Sequence, residues 1–324
     1  MTITSRPRRL RINQAMRNLV SENQVQANSL ILPLFVREGL TEPVAINGMP
    51  GVVQHTFASL KVEVDRALSA SIGGIMVFAI PQHRDEMGSE ALNPHGILNQ
   101  AVRAIRDQVG ERLIVIADLC LDEFTSHGHC GVLDKNGSVD NDRTLDLYAE
   151  MAVLLAANGA HMLGTSGMMD GQVGAVRQAL DVANHVDVSI LAYAAKYASA
   201  FYGPFRDAVE SQLVGDRKSY QQDPSNLKES MREIRLDISE GADIIMVKPG
   251  MMYLDVLYAA SQFVDLPLAS YIVSGEMAMV EAAAREGSID RERAIMEIVT
   301  SVRRAGAKII CTYWALEVAE LLKK

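Results

Sequence analysis

The sequence predicts a (β/α)₈ barrel preceded by an extended N-terminal arm. Two observations carry this. Eight short apolar runs rich in β-branched residues recur along the chain, and segments of helical period separate them. Several of those segments end in a glycine just before the next run, at Gly110, Gly159, Gly241 and Gly306, as helix-to-strand connections often do. Near-continuous apolar runs suit strands buried on both faces of a parallel sheet. Eight strands alternating with helices over 324 residues fit a single barrel. An open doubly wound sheet is the competing architecture, but its glycine-rich phosphate fingerprint is missing after the first strand.

Residues 1–25 precede the first strand and carry Arg6, Arg8, Arg9, Arg11 and Arg17. They read as an arm that reaches a neighbouring subunit, with a disordered tail as the alternative. Residues 26–324 form the barrel domain. Its expected strands cover residues 30–36, 72–79, 113–119, 162–166, 189–193, 244–248, 267–274 and 308–315. The expected helices cover residues 62–71, 99–109, 145–158, 172–184, 227–241, 254–263, 278–287 and 291–305.

Composition narrows the function. Hydrophobic residues are 48% and charged residues 22%, as in globular proteins. A net charge of −9 argues against a nucleic-acid partner. No apolar stretch reaches the length of a membrane span, and the basic, polar N-terminus is not a secretory signal. Three cysteines argue against a disulfide framework and for a reducing cytoplasm.

Barrel enzymes place their chemistry at the C-terminal ends of the strands. The polar residues expected there are Asp118, Ser166, Lys196, Lys248, Ser274 and Tyr313, on the third to eighth strands. Lys248 ends the run Ile244-Ile245-Met246-Val247, and Pro249 and Gly250 stop the strand. A lysine ending a buried strand loses hydration, which favours the neutral amine, and a neutral amine can form a Schiff base with a carbonyl. The plainer alternative is a lysine that snorkels to solvent. Lys196 follows the run 189–195 in the same way, and two such lysines facing one cavity depress each other's pKa.

Three further segments carry candidate chemistry. Residues 118–131 gather Cys120, Asp122 and Cys130 in one loop. Three ligands with an open position match a catalytic zinc site, although the carboxylate also suits magnesium. A metal-free loop with two thiols is the alternative, and Cys311 reads as a small buried hydrophobe. On the helix at 227–241, Glu229, Glu233 and Asp237 recur every fourth residue, either as a cation site or as a solvated face paired with Arg232 and Arg235. Residues 201–221 have little regular period and read as a lid, whose Arg206 and Arg217 could grip a substrate carboxylate. Surface ion pairs are the alternative for those two arginines.

Taken together, these residues resemble the porphobilinogen synthase family, also called 5-aminolevulinate dehydratase. The matching motifs are MVKPGMMYLD around Lys248, AKYASAFYGPFRDA around Lys196, GDRKSYQ at 215–221, DLCLDEFTSHGHCG at 118–131 and YIVSGEMAM at 271–279. The resemblance runs from about Pro33 to Trp314. It implies a (β/α)₈ barrel with an N-terminal arm, assembled as a homo-octamer. The implied reaction joins two molecules of 5-aminolevulinate into porphobilinogen with loss of two waters, in tetrapyrrole biosynthesis. Lys248 would hold one substrate and Lys196 the other, both as Schiff bases. Arg206, Arg217 and Gln221 would hold the carboxylate of the Lys196-bound molecule, and Ser274 and Tyr313 that of the Lys248-bound one. Asp118 would assist proton transfer, with Ser166 hydrogen-bonded nearby.

Two departures from the family pattern stand out. Zinc-dependent members carry cysteine where this chain has Asp122, and magnesium-type members replace all three cysteines. Cys120, Asp122 and Cys130 are therefore a hybrid set for zinc. The family's allosteric magnesium site uses a glutamate that aligns with Glu233. Around Ser166 the family usually reads Pro-Ser-Asp, where this chain has Thr165-Ser166-Gly167. A class I aldolase would need only one of the two lysines and leaves the lid arginines unused. A non-catalytic binding protein on an old barrel would predict loss of a lysine or a lid arginine.

Overall fold

The computed structural model describes residues 3–324, so the first two residues of the expected arm lie outside the described residues. Ten strands form one sheet: β1 (Leu30–Arg37), β2 (Val44–Ala45), β3 (Val53–His55), β4 (Gly74–Ile80), β5 (Ile114–Leu119), β6 (Met162–Thr165), β7 (Ser189–Lys196), β8 (Ile244–Lys248), β9 (Leu268–Ile272) and β10 (Ile309–Thr312). The helices are α1 (Gln14–Leu19), α2 (Phe57–Ser69), α3 (Ile97–Val109), α4 (Asn141–Ala157), α5 (Gln172–Val182), α6 (Gly203–Ala208), α7 (Leu227–Glu240), α8 (Leu254–Ser261), α9 (Ser274–Arg285), α10 (Arg291–Arg304) and α11 (Ala315–Leu321).

Strands β1 and β4 to β10 pair in parallel in chain order, and β10 returns to β1, with Leu30 opposite Ile310 and Ile31 opposite Cys311. That return closes an eight-stranded parallel barrel and leaves it no free edge. Nearly every residue of its strands is buried, as the continuous apolar runs required. All eight strands run the same way, so their C-terminal ends share one rim.

Several elements differ from the sequence expectation. Strand β7 runs on to Lys196, with a register irregularity between Ala192 and Ala195. Strand β9 stops at Ile272, so Ser274 opens α9 instead of ending a strand. Strand β10 stops at Thr312, which leaves Tyr313 in the turn before α11. Helix α2 starts at Phe57, where Thr56 and Ser59 form a capping box that periodicity could not reveal. The short hairpin β2–β3 was not expected. Its β3 strand adds in parallel to the outer end of β1, with Phe35 opposite Gln54. The segment read as an irregular lid contains α6. Ahead of the barrel, none of the described residues before Leu30 is buried.

The loop after β8 is fixed by a single side chain. The Glu276 carboxylate, fully buried in the first turn of α9, accepts hydrogen bonds from the N–H groups of Gly250 (3.3 Å), Met251 (2.6 Å), Met252 (3.3 Å) and Val273 (2.9 Å). Three of these donors lie just beyond Lys248 and the fourth just before α9, so Glu276 ties the end of β8 to the start of α9. Glu276→Ala is expected to lower the unfolding free energy by about 3 kcal/mol or more, since each stranded buried N–H costs roughly 1–3 kcal/mol. Urea unfolding followed by circular dichroism measures this; a midpoint equal to wild type would show that water replaces the carboxylate.

Candidate active site

Lys196 and Lys248 are direct neighbours across the β7–β8 pairing, both nearly buried. Lys196 Nζ donates to the Ser166 carbonyl at 2.6 Å. Lys248 Nζ has no hydrogen-bond acceptor among the described residues and sits in an aromatic cage. It lies 4.3 Å from the ring centre of Tyr271, 5.2 Å from Tyr193, 5.4 Å from Phe205 and 5.5 Å from Tyr202. Burial, and then the charge of Lys196, pull the Lys248 pKa down to about 7 against the attraction of Asp118. The expected neutral-amine lysine is therefore Lys248, and the snorkelling alternative fails because the side chain stays inside.

Asp118, at the end of β5, accepts from the Ser166 hydroxyl at 3.0 Å through one oxygen, and its other oxygen is buried without a partner. Burial, and then Asp122, push its pKa up to about 7, with both lysines pulling the other way. A carboxyl and an amine poised near neutrality in one cavity can exchange a proton. The Gly167 departure has a local cause. A Cβ placed there would lie 2.1 Å from the Tyr148 hydroxyl, so no larger residue fits beside Ser166 in this packing.

The lid closes this cavity. Its walls are formed by Asp118, Asp122, Ser166, Lys196 and Lys248 of the rim, and by Tyr202, Phe205, Arg206, Arg217 and Gln221 above, with Phe78 below. The space left is about 20 Å³, room for a water and far too little for a substrate. Phe205 fills it by packing on Phe78 (5.2 Å) and Phe35 (5.7 Å). Arg206 is solvent-exposed and makes no side-chain hydrogen bond among the described residues. Arg217 is buried, donating to Asp122 at 2.9 Å and to the Gly128 carbonyl at 2.7 Å, which excludes the surface-pair alternative for this arginine. Gln221 is buried with its amide nitrogen unpartnered.

Ser274 and Tyr313 stand behind Phe205, outside the cavity walls. The Ser274 hydroxyl accepts from the Phe205 N–H at 2.9 Å, and the Tyr313 hydroxyl accepts from Tyr271 at 3.0 Å. Tyr271 thus links Tyr313 to the Lys248 cage. The cage tyrosines are functional surroundings that sequence reading missed. Their signal was available, since Tyr193 and Tyr271 both sit near the C-terminal ends of expected strands.

Two groups of candidate ligands converge here among the described residues, with all ligand atoms within 4.8 Å. One is Cys120, Asp122 and Cys130, as expected from sequence. The other is Asp118, Asp122 and Glu123, and Glu123 was not singled out in the sequence. Burial, and then Asp122, raise the Glu123 pKa well above its usual value. Burial lifts Cys120 well above an ordinary thiol. For Cys130 burial is outweighed by a hydrogen bond with Cys120 and by Arg217, and its pKa falls to about 7. For Asp122 burial is likewise outweighed, here by Arg217 and Lys196, and its pKa lies below the usual carboxylate value. One thiol and one carboxylate are thus held ready to ionise. Two sulfurs and one oxygen fit a borderline-soft cation such as zinc.

Glu233 lies outside the catalytic cavity, in a cleft of about 410 Å³ between α5 and α7. Glu229, Asp237 and Asp170 share it, and Gln221 lines both this cleft and the catalytic cavity. The solvated-face alternative is only partly met. Arg232 approaches Glu233 at 3.8 Å, while Arg235 stacks on Phe263 at 4.2 Å and pairs with no carboxylate. Burial, and then Glu240 and Glu233, push the Asp237 pKa up to about 8.

A barrel whose rim buries two lysines beneath a lid belongs, on geometry, to the enzymes that activate carbonyl substrates through lysine. The comparisons narrow that class. A family profile described as Delta-aminolevulinic acid dehydratase matches residues 4–321. The chain is 56% identical over 321 residues to a delta-aminolevulinic acid dehydratase of Streptomyces coelicolor, covering 98% of this chain and 97% of that one. It is 55% identical to one from Mycobacterium tuberculosis, covering 97% and 96%, and 46% identical to one from Escherichia coli, covering 98% of each. It also superposes with a TM-score of 0.95 on delta-aminolevulinic acid dehydratase from Toxoplasma gondii, solved in complex with the reaction product porphobilinogen. That pair is 45% identical, covering 98% of this chain and 92% of the other. The chain belongs to the delta-aminolevulinic acid dehydratase family, and it is a lyase. No helix among the described residues is long and apolar enough to cross a membrane.

The lowered Lys248 pKa fixes a sign for the pH dependence. Below about pH 7 the amine is an ammonium ion and is no nucleophile. The value of kcat/KM should therefore fall about tenfold per pH unit on the acid side and flatten above neutrality. Steady-state rates across this range measure it, and a midpoint near the ordinary lysine value would remove Lys248 from the role.

Proposed function

We propose that this barrel condenses two molecules of 5-aminolevulinate to porphobilinogen with loss of two waters, each substrate held as a Schiff base on one lysine. The observation that carries the reading is the side-by-side burial of Lys196 and Lys248 at adjacent strand ends. An amine near neutrality attacks a substrate keto carbon and expels its oxygen as water. One attachment on each lysine expels both waters. The protonated imine that results is an electron sink, so the neighbouring carbon loses a proton more readily. The amine of one molecule then displaces a lysine from the other molecule's carbon. The remaining lysine leaves by elimination as a ring double bond forms, so both lysines are regenerated. Holding both molecules on adjacent strands makes the bond-forming steps effectively unimolecular, worth up to roughly 7–11 kcal/mol.

Each residue has a part consistent with its place. Lys248 takes the molecule whose carboxylate reaches Ser274 and Tyr313. Lys196 takes the molecule whose carboxylate meets Arg206, Arg217 and Gln221 in the lid. Asp118, near its own pKa, moves protons between substrate carbon, substrate amine and lysine. Ser166 holds Asp118 with its hydroxyl and Lys196 with its carbonyl.

Zinc fits Cys120, Asp122 and Cys130, and when bound there it supplies Lewis-acid polarisation of a substrate group. Magnesium fits the Glu233 cleft as an allosteric site, because that ion keeps most of its waters and takes only one or two carboxylates. Self-assembly through the arm is supported by exposed Ile3, Leu10, Ile12, Leu19 and Val20 on a segment whose described residues are all unburied, and the homo-octamer is the assembly that the family resemblance implies.

Lys248→Met should cut turnover by roughly 10³-fold or more with an unchanged far-ultraviolet spectrum. Reduction with cyanoborohydride in the presence of substrate should add substrate mass to the Lys248 peptide in wild type only. An active, unlabelled variant would refute the Schiff-base assignment.

Porphobilinogen formation after exhaustive chelation, with each ion restored separately, assigns the metals. Magnesium alone should raise activity in wild type and fail to do so in Glu233→Ala. Zinc should act through Cys120 and Cys130, so serine at both positions should abolish any zinc response. A magnesium response that survives Glu233→Ala would move the allosteric ion elsewhere, and absence of product under every condition would sink the reaction itself.

A further inference from the structure

We infer that Arg84, assisted by Arg37 and Gln54, is the positioning residue that latches the lid helix shut over the catalytic cavity. The inference rests on the lid reading above and concerns residues that no part of the chemistry has used. Arg84 lies in the loop after β4, outside the lid. Its guanidinium spans two successive carbonyls just past the end of α6, with Nη2 donating to Val209 O at 2.8 Å and Nη1 to Glu210 O at 2.6 Å. Gln54, from β3, donates to the Ala208 carbonyl at 2.8 Å. Arg37, at the end of β1, pairs with the Glu210 carboxylate at 2.6 Å and donates to Gln54 Oε1 at 3.1 Å.

Two side chains from outside the lid, Gln54 and Arg84, thus satisfy the three consecutive carbonyls of residues 208–210, and Arg37 holds the Glu210 carboxylate beside them. Carbonyls at a helix end carry partial negative charge, and a guanidinium there is favoured over a neutral donor. Glu210 itself has φ +52, a left-handed conformation that a non-glycine residue holds only when its surroundings impose it. The unexpected β2–β3 hairpin has a purpose in this light, because β3 brings Gln54 beneath the lid.

The latch acts through what α6 carries. Phe205 fills the cavity and Arg206 lines it. With about 20 Å³ of space, no substrate enters until α6 lifts, and lifting breaks these bonds. Closing remakes them and brings Phe205 and Arg206 back to the cavity walls. Arg84 therefore tunes how firmly the second substrate is enclosed, without touching it.

The test is hydrogen exchange of residues 203–211 in the full-length assembled protein without substrate, together with steady-state kinetics, for Arg84→Gln and Arg84→Lys. One charge-assisted pair of hydrogen bonds lost predicts about tenfold faster exchange of the α6 amides and about tenfold higher KM for 5-aminolevulinate, with kcat changed far less. Arg84→Lys, which keeps the charge but not the two-carbonyl span, should fall between. Wild-type exchange and KM in Arg84→Gln would overturn the latch, as would a lowered melting temperature with both unchanged, since that marks a purely structural role. If Arg84→Gln does not fold, Arg37→Gln removes the Glu210 ion pair and should show the same direction at smaller size. Its failure to do so would equally overturn the proposal. Porphobilinogen formation by wild type is the control for the reaction, and the exchange readout does not depend on it.

Discussion

Two amines on neighbouring parallel strands, in register at their last residue, are the constraint that the rest of the site obeys. Parallel strands lie about 4.8 Å apart, so Lys196 and Lys248 cannot separate without breaking the barrel. Burying both as ammonium ions would be costly, and the surroundings resolve this unequally. Lys196 receives a carbonyl acceptor from Ser166. Lys248 receives only ring faces, and its proton is held loosely. One strand pairing therefore produces two amines with different environments, as a reaction with two inequivalent copies of one substrate requires.

The acids around these amines are arranged with the same economy. Asp118, Asp122 and Glu123 lie within one small volume, yet only Asp122 has a strong cationic partner, Arg217. Asp122 therefore keeps its charge, while that charge and burial push Asp118 and Glu123 toward their protonated forms. Of three neighbouring carboxyl groups, Asp122 stays an anion, Glu123 is pushed well up and Asp118 is poised at about 7. Asp118 is the one within reach of the lysines.

Much of this was legible in the sequence, and the reasons are physical. Buried parallel strands must be apolar along their whole length, so all eight barrel strands announced themselves. A barrel puts every strand end on one rim, so the polar residues closing the third to sixth runs, Asp118, Ser166, Lys196 and Lys248, line one cavity. Where the reading slipped, side-chain chemistry gave way to local geometry. Ser274 and Tyr313 were placed on strands, but β9 and β10 end one or two residues earlier because helix α9 and the turn before α11 claim them. The α6 helix is only six residues long, too short for a period to show. The hairpin β2–β3 pairs over two or three residues and has no alternation to read. Glu123 was hidden because its neighbours Cys120 and Asp122 carried the more familiar ligand spacing.

The lid and the cysteine loop are a single mechanical unit, joined through Asp122. Arg217 reaches from the lid to Asp122 and to the Gly128 carbonyl. Tyr220, three residues on, accepts from the Cys130 N–H at 3.4 Å and lies 3.1 Å from His129 Nδ1. Gly128, at φ +71, lets the loop approach so closely that a Cβ there would lie 2.6 Å from the Leu213 nitrogen. A cation held by Cys120, Asp122 and Cys130 must draw on the same carboxylate that anchors Arg217. Arg217 has a buried, unpartnered Nε besides, a donor free to take a further carboxylate. With cysteine in place of Asp122, the Nη2 group of Arg217 would lose its carboxylate acceptor. In this hybrid ligand set a cation in the loop and Arg217 of the lid would draw on one carboxylate, that of Asp122.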